Sequence, residues 1–498
     1  MILLTVVLCF LSKPALGSQD RSFPPGFKFG AATSAYQIEG GWNADDKSES
    51  IWDVFTHTYP EKVVDRSTGD VACDSYSQWE RDIEIAAELG LDFYRFSISW
   101  PRILPTSFPN KISEAGKKYY NNLIDGLLAR GIEPVVTMYH FDLPERLQKL
   151  GGWTNPLIAD WFSDYARVLY SLFADRVKTW ITINEPMTIC DVVYSLGIIA
   201  PPIYDPYVGR LNCIKNLLIA HAKVYKIYDE EYRQKYQGEV GISNHFLWMD
   251  SDSKEDDEVA EALRQLASGM YSHPIFSKAG GWPPVVEKQI ARRSKKEGYP
   301  RSRLPAFTKE EKELVRGSCD FLGFNHYTSR VVQKAGPGED VGLWPLFGSP
   351  DFDAKLIIKP EWPRAASYWF AINPEGIRNA LGWVKKQYGD VKILITENGY
   401  SAKNNTLDDK DRVEYYKAYL EQVLLAIKED GVNVVGYTAW SLIDNYEWIE
   451  GYTVNFGLYN VDFNDPARTR TARASARYYA SVIQQRSLDI TPRITDEL

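Results

Sequence analysis

Histidine, cysteine and methionine are all scarce in this chain. Its 498 residues include 6 His, 5 Cys and 5 Met. The histidines are scattered without the spacing that metal ligands show, so we expect no metal site, no cofactor and no metal-dependent chemistry. The cysteines are too few to act as the framework of so large a chain. Cys190 and Cys213 can pair across a loop, but the sequence leaves that pairing open.

Long apolar runs are absent beyond the first residues. An apolar segment at 2–11, followed by Ala15-Leu16-Gly17, predicts a secretory signal peptide at residues 1–17, even without a basic residue at its start. No later segment has 18 uninterrupted apolar residues, so we predict a secreted protein without a membrane span. Asn404-Asn405-Thr406 predicts a glycosylation site at Asn404. The terminal Thr495-Asp-Glu-Leu498 resembles an ER-retrieval signal with an unusual first residue.

Basic residues do not outnumber acidic ones in this chain. The chain has 57 basic and 66 acidic residues, a net charge of −9. This balance argues against nucleic acid or an anionic membrane as a partner. The charge says nothing finer about the substrate, and we assign no oligomeric state.

Eight short apolar runs are spread along the chain, with amphipathic stretches such as 79–89 and 412–428 between them. The runs lie at 27–32, 93–98, 134–138, 180–183, 240–242, 321–324, 393–395 and 434–438. Strand alternating with helix eight times predicts an α/β fold, a single (β/α)8 TIM barrel over residues 18–498 with elaborated βα loops. The longest irregular stretch, 335–372, is expected to shape the mouth of the barrel.

Two glutamates stand where apolar runs end. Glu185 closes Trp180-Ile-Thr-Ile-Asn-Glu-Pro186, and Glu397 closes Val391-Lys-Ile-Leu-Ile-Thr-Glu-Asn-Gly399. A β-branched run that ends in a Pro or Gly turn predicts a buried parallel strand. The carboxyl ends of barrel strands form the active-site face of this fold. Either glutamate alone fits a salt-bridged strand end, whereas two facing carboxyl groups are what glycoside hydrolysis requires.

The other strand ends carry polar and aromatic residues. In chain order these are Gln37, Arg95, His140, Asn184, Asn244, Tyr327, and the Trp440-to-Trp448 block with Glu447. With the Asn-Glu-Pro motif, this set makes the chain resemble glycoside hydrolase family 1, the β-glucosidase family. The resemblance extends from residue 23 to residue 479.

The resemblance implies roles for the two glutamates and their neighbours. Glu397 resembles the nucleophile, and Glu185 resembles the acid/base of a retaining enzyme, which holds its two carboxyl groups about 5–5.5 Å apart. Arg95 and Tyr327 resemble the partners of Glu397, which we expect to lower its pKa. Asn184 resembles the residue that hydrogen-bonds the sugar 2-hydroxyl.

The resemblance also divides the remaining residues between two halves of the substrate. Those expected to bind the sugar are Gln37, His140, Asn184, Tyr327, Trp440, Glu447 and Trp448. Those expected on the aglycone side are Met187, Asp191, Arg330 and Trp369. The resemblance implies a small-molecule β-glycoside substrate, from which terminal non-reducing β-D-glucosyl residues are released through a covalent glycosyl-enzyme.

Two other functions stay open at this stage. A thioglucosidase (myrosinase-like) with the same two glutamates needs a basic residue for the substrate sulfate. Arg330 is the candidate, whereas Asp191 argues against an anionic aglycone. A non-catalytic sugar-binding relative is expected to lose one glutamate, and both Glu185 and Glu397 are present.

Overall fold

The computed structural model of the chain describes residues 20–336, 338–403 and 405–490. The predicted signal peptide at 1–17, the glycosylation acceptor Asn404 and the terminal residues 495–498 lie outside the described residues. No helix in the described part is long and apolar enough to span a membrane.

Eight strands of the described chain close into one barrel. They are β1 Lys28–Ala32, β2 Phe93–Ser97, β3 Glu133–Tyr139, β4 Thr179–Asn184, β5 Glu239–His245, β6 Phe321–Asn325, β7 Ile393–Asn398 and β8 Val434–Trp440. Each strand pairs in parallel with the next in the chain, and β1 pairs with β8 to complete the ring. This topology confirms the predicted TIM barrel.

Helices connect the strands and cover the outside of the barrel. The α-helices are Ala35–Ile38, Ile51–Thr58, Ser75–Glu88, Trp100–Ile103, Glu114–Ala129, Glu145–Lys149, Ile158–Phe173, Tyr194–Leu196, Gly209–Ile227, Arg233–Tyr236, Asp257–Arg264, Met270–Phe276, Pro284–Lys296, Lys309–Val315, Pro374–Tyr388, Lys410–Lys428 and Ala474–Gln485. In Ile158–Phe173, Ile158, Phe162, Tyr165 and Leu169 are fully buried. Their spacing of three to four residues gives the helix its apolar face toward the strands.

Most strands extend beyond the apolar runs that predicted them, mainly at their carboxyl ends. β7 continues to Asn398, where Glu397 still pairs with Asn325 and Asn398 with Ala439. The apolar run ends earlier because residues 396–398 carry polar side chains, although they are still buried and their backbone pairing continues. Of the two glutamates, Glu397 therefore lies within a strand, whereas Glu185 follows directly after the end of β4.

The interior of the barrel changes from apolar to polar along its axis. Near the amino ends, five inward side chains form one small apolar cluster: Phe93, Val135, Ile181, Phe321 and Leu394. Side chains on a strand alternate between its two faces, so the next inward positions are two residues further on. At two of these positions Arg95 Nε donates to Thr137 Oγ1 at 3.1 Å. An apolar layer near the amino ends of the strands therefore lies beneath a polar layer nearer their carboxyl ends.

The long stretch at 335–372 is more regular than expected. It contributes Gly348–Ser349 and Ala354–Ile357 to a four-stranded sheet with Trp248–Ser251 and Ser329–Lys334. Two of its residues, Leu346 and Trp369, line the cavity described below.

The pairing that the sequence left open is present, because Cys190 and Cys213 form a disulfide. It joins the segment after β4 to the helix Gly209–Ile227.

Candidate active site

A deep cavity lies at the carboxyl ends of the barrel strands. Glu185, which follows β4, and Glu397 in β7 both line it. The two residues are 8% and 4% exposed, so each carboxyl group is nearly removed from bulk water and reachable only through the cavity. Their separation stays a prediction, but the two side chains face one shared space.

Both carboxylate oxygens of Glu397 accept a hydrogen bond. Arg95 Nη1 donates to Oε1 at 2.7 Å, and the Tyr327 hydroxyl donates to Oε2 at 2.8 Å. These donors favour the charged form, as expected, but the predicted net lowering of its pKa is wrong. Burial, together with the negative charge of Glu185, outweighs them and raises the pKa of Glu397 to about 7.

Arg95 also ties the nucleophile candidate to Asn184. Its Nη2 donates to Asn184 Oδ1 at 2.7 Å, and Asn325 Nδ2 donates to the same oxygen at 3.1 Å. The carbonyl of the Asn184 amide is therefore occupied, and its Nδ2 lies 3.1 Å from His140 Nε2. Residues from three strands, β2, β4 and β6, and His140 just after β3 thus meet at one amide beside the two carboxyl groups.

Glu185 occupies a backbone conformation that is uncommon for a residue with a side chain. Its φ of 46° lies in the left-handed region. Asn325 Nδ2 donates to its Oε1 at 2.9 Å, and Thr188 Oγ1 donates to its Oε2 at 2.6 Å. Beginning three residues further on, Thr188–Val193 forms a π-helical turn, an irregularity that is frequent at functional sites.

Most of the residues expected to bind the sugar line the same cavity as the two carboxyl groups. His140, Trp440, Glu447 and Trp448 line the cavity, and the His140 and Trp440 rings stack with centroids 5.8 Å apart. Gln37 is fully buried behind them, with its Nε2 3.4 Å from Glu447 Oε2. Burial and, to a lesser extent, Arg95 lower the pKa of His140 well below its usual value, so its imidazole is neutral.

Three of the four residues predicted on the aglycone side also line the cavity. These are Met187, Arg330 and Trp369. Trp369 stacks on Phe370 with the ring planes 6° apart. The guanidinium of Arg330 donates to Thr328 Oγ1 and to the backbone carbonyls of Ser329 and Trp369, all neutral oxygens.

The placement of Asp191 on the aglycone side is wrong. Asp191 is part of the π-helical turn, and its side chain is fully buried. Arg210 Nη1 donates to Oδ1 at 2.6 Å and the Tyr271 hydroxyl donates to Oδ2 at 2.8 Å. Both oxygens are used inside the protein because a buried carboxylate requires partners. Asp191 therefore gives no information about the charge of the aglycone.

The sequence interpretation chose the wrong residue at the end of β5. Asn244 faces outward, where its Nδ2 lies 3.2 Å from the Tyr271 carbonyl oxygen, and His245 lines the cavity instead. The period of two was available as a signal, because the inward Ser243 predicts an inward residue 245. Thr188, which contacts Glu185, was also missed, and no short motif marks it.

The geometry defines a class of protein. A parallel barrel whose mouth holds two buried carboxyl groups, one bound by arginine and tyrosine and the other by an amide and a hydroxyl, has the arrangement of a barrel glycoside hydrolase.

Known proteins identify the family. Residues 19–488 match the model of glycosyl hydrolase family 1. Myrosinase 1 of Brevicoryne brassicae is 45% identical over 93% of this chain and 99% of its own length. The cytosolic beta-glucosidase of Homo sapiens is 42% identical over 94% of this chain and 99% of its own length. The solved structure of aphid myrosinase superimposes with a TM-score of 0.88 at 43% identity, covering 94% of this chain and all of that one (100%).

The chain therefore belongs to glycosyl hydrolase family 1. It is a retaining β-glycosidase that acts on small sugar substrates, as the sequence interpretation predicted. This result sets aside the non-catalytic alternative.

Proposed function

We propose that the chain is a β-glucosidase in which Glu397 is the nucleophile and Glu185 is the acid/base. The supporting observation is the difference between the two carboxyl environments. Glu397 is held by a permanent cation, Arg95, whereas Glu185 is held by the amide of Asn325 and the hydroxyl of Thr188. A nucleophile must be ionised when it attacks, while an acid/base must exchange its proton in each cycle.

The proposed reaction has two steps. In the first, a carboxylate oxygen of Glu397 attacks the anomeric carbon while Glu185 donates its proton to the departing glycosidic oxygen, which leaves a glycosyl ester on Glu397. Esterification removes the negative charge of Glu397. In the second step, Glu185, now ionised, takes a proton from water, and that water displaces Glu397 from the anomeric carbon. The product keeps the β configuration, and both glutamates return to their starting states.

Sugar recognition is proposed for the residues around the carboxyl pair. Trp440 supplies a flat face for the pyranose ring, and Glu447 with Gln37 supplies paired hydrogen-bonding groups for neighbouring hydroxyls. Asn184 is proposed to bind the 2-hydroxyl through Nδ2, because its Oδ1 already accepts from Arg95 and Asn325. A hydrogen bond at the 2-hydroxyl strengthens as the transition state forms.

Covalent trapping tests these roles. A 2-deoxy-2-fluoro-β-glucoside with a good leaving group forms the ester quickly and releases it slowly. Peptide mapping should then find the sugar on Glu397, and a label on another residue would contradict the nucleophile assignment. A substrate panel of cellobiose, laminaribiose, aryl glucoside, galactoside and fucoside should give the highest kcat/KM on a β-glucoside.

A thioglucosidase activity is the second candidate, and Arg330 is the observation that favours it. Arg330 lines the part of the cavity that also holds Met187 and Trp369, called here the outer cavity. It is 7% exposed, and no carboxylate of the described residues forms an ion pair with it. Burial lowers the pKa of its guanidinium to about 10. Because an uncompensated buried cation is unfavourable, an anionic group on the aglycone would stabilise it.

A matched pair of variants tests this second candidate. If the outer cavity binds glucosinolates, Arg330→Met should reduce kcat/KM on a glucosinolate about tenfold or more, because a charge-assisted hydrogen bond is lost. The same change should leave the desulfo-glucosinolate and a neutral aryl glucoside nearly unaffected. Equal losses on all three substrates, or no wild-type turnover of the glucosinolate, would exclude the thioglucosidase.

We also propose that the protein is secreted and glycosylated at Asn404. The apolar segment at 1–17 and the Cys190–Cys213 disulfide support export to an oxidising compartment. Expression in a eukaryotic secretory host should place the protein in the medium, with a glycan that Asn404→Gln removes. Retention of the intact chain in the cytosol would contradict the proposal.

A further inference from the structure

The two carboxyl oxygens of Glu185 have different neighbours. Oε1 accepts from Asn325 Nδ2, which belongs to the rigid strand β6. Oε2 lies 2.6 Å from Thr188 Oγ1 and 3.9 Å from His245 Nδ1. The barrel thus holds Oε1 through an amide N–H, which can only donate, while Oε2 contacts a hydroxyl group, which can donate or accept.

The position of Thr188 is fixed by its own chain segment. The backbone N–H of Ile189 donates to the Glu185 carbonyl at 3.1 Å, so residues 185–189 form one helical turn. Side chains three residues apart lie on the same side of such a turn, which brings Thr188 beside Glu185. The next two residues anchor the turn to the helix Gly209–Ile227, Cys190 through its disulfide and Asp191 through Arg210.

A threonine hydroxyl suits a carboxyl group that changes its protonation state. It carries one O–H donor and two acceptor lone pairs, and its hydrogen can rotate. When Glu185 is ionised, Thr188 Oγ1 donates to Oε2. When Oε2 carries the proton, the same hydroxyl can accept it as a hydrogen bond at the same separation. The contact is therefore kept in both half-reactions without movement of the backbone.

We propose that Thr188 is a positioning residue for the acid/base, holding Oε2 of Glu185 in both the protonated and the ionised state. The proposal rests on the proposed function, because it assumes that Glu185 is the acid/base. Thr188 acts here through Glu185 and needs no contact with the sugar. The titratable groups that face Glu185 from the surrounding elements are His245, Tyr327, Glu397 and Glu447.

Thr188→Val and Thr188→Ser form the test pair. Valine keeps the branched shape and loses the hydroxyl, whereas serine keeps the hydroxyl. With a dinitrophenyl glucoside, whose turnover we expect to be limited by release from Glu397, kcat of Thr188→Val should fall about tenfold to a hundredfold, because the ionised base loses a charge-assisted hydrogen bond. Thr188→Ser should keep most of the wild-type kcat.

The pH profile gives a readout that a purely structural role does not move. The hydrogen bond from Thr188 to the ionised carboxylate is charge-assisted and therefore stronger than the bond it forms with the protonated group, so loss of the hydroxyl favours the protonated form. In Thr188→Val, the high-pH limb of kcat/KM for an alkyl glucoside should therefore move to higher pH, and Thr188→Ser should return it. Thr188→Ala, which also lacks the hydroxyl, replaces the valine variant if that variant does not fold.

The outcomes separate this proposal from the proposed function. If Glu185→Gln loses activity on alkyl glucosides while Thr188→Val matches the wild type in kcat and in its pH profile, the role of Thr188 is wrong and the acid/base assignment stands. Equal losses in the valine and serine variants with an unmoved limb also contradict the role. If Glu185→Gln itself is fully active, the assignment of Glu185 is wrong.

Discussion

The inner and outer halves of the cavity are built differently. In the inner half, Arg95, Asn184 and Glu397 lie on three barrel strands and are joined by hydrogen bonds of 2.7 Å. In the outer half, Met187 and Trp369 come from the connecting segments, and Arg330 bonds to neutral oxygens alone. The inner half therefore fixes one geometry for the chemistry, whereas the outer half can change its residues without disturbing it.

The largest effect is expected at the centre of the inner half. Glu397→Ala removes the attacking group, and activity should fall by several orders of magnitude, as happens when other covalent catalysts lose their nucleophile. Azide or formate should restore part of the turnover by occupying the space of the lost carboxylate. With azide the product should be the α-glycosyl azide, inverted at the anomeric carbon. A β-configured product would show that another residue performs the first displacement.

Glu185→Gln should give the next largest effect, and in kcat/KM it should appear only on substrates whose leaving group needs a proton. For alkyl glucosides, kcat/KM should fall about 10²–10⁴-fold, the usual contribution of general acid catalysis. For a dinitrophenyl glucoside, kcat/KM should stay near the wild-type value, because that leaving group departs as an anion. Measuring both substrates on one enzyme preparation provides the control, and equal losses would count against the acid role.

The pH dependence of activity tests how the hydrogen bond from Tyr327 affects the pKa of Glu397. The Tyr327 hydroxyl donates to its ionised form, so Tyr327→Phe should raise the pKa of Glu397 above its value of about 7. Attack requires the ionised carboxylate, so the low-pH limb of kcat/KM should move to higher pH and activity in weak acid should fall. Tyr225→Phe is the matched control, since its hydroxyl bonds Asp320 before β6. An unmoved limb in Tyr327→Phe would contradict the assigned contact.

The inner half was the more predictable from the sequence, for a physical reason. The eight apolar runs fixed the order of the strands, and parallel strands bring their carboxyl ends together, so Glu185 and Glu397 had to meet. Roles in the outer half depend on loop conformation. Asp191 is six residues after Glu185, yet a π-helical turn carries it inward to Arg210.

Two features of the inner half were also not predictable from the sequence. The direction of the pKa shift of Glu397 depends on how deeply its carboxyl group is buried, which the sequence does not give. The sequence interpretation missed His245 because it chose Asn244, a polar residue on the outward face of β5. In both cases the missing quantity was the direction or depth of one side chain, while the strand that carries it was predicted.

The smallest effect is expected in the outer half, where a substitution should change binding without changing the chemistry. Trp369 lines the cavity and packs on Phe370 at 5.2 Å between ring centroids. Trp369→Ala should raise KM for an aryl glucoside by up to about tenfold, the size of one aromatic contact. Its kcat should stay unchanged wherever release from Glu397 is rate-limiting. Trp362→Ala, on the same segment, is the matched control and should leave both constants unchanged. A large fall in kcat for Trp369→Ala would show that the two halves are coupled, because a residue outside the hydrogen-bonded inner half would then be controlling the position of the reacting atoms.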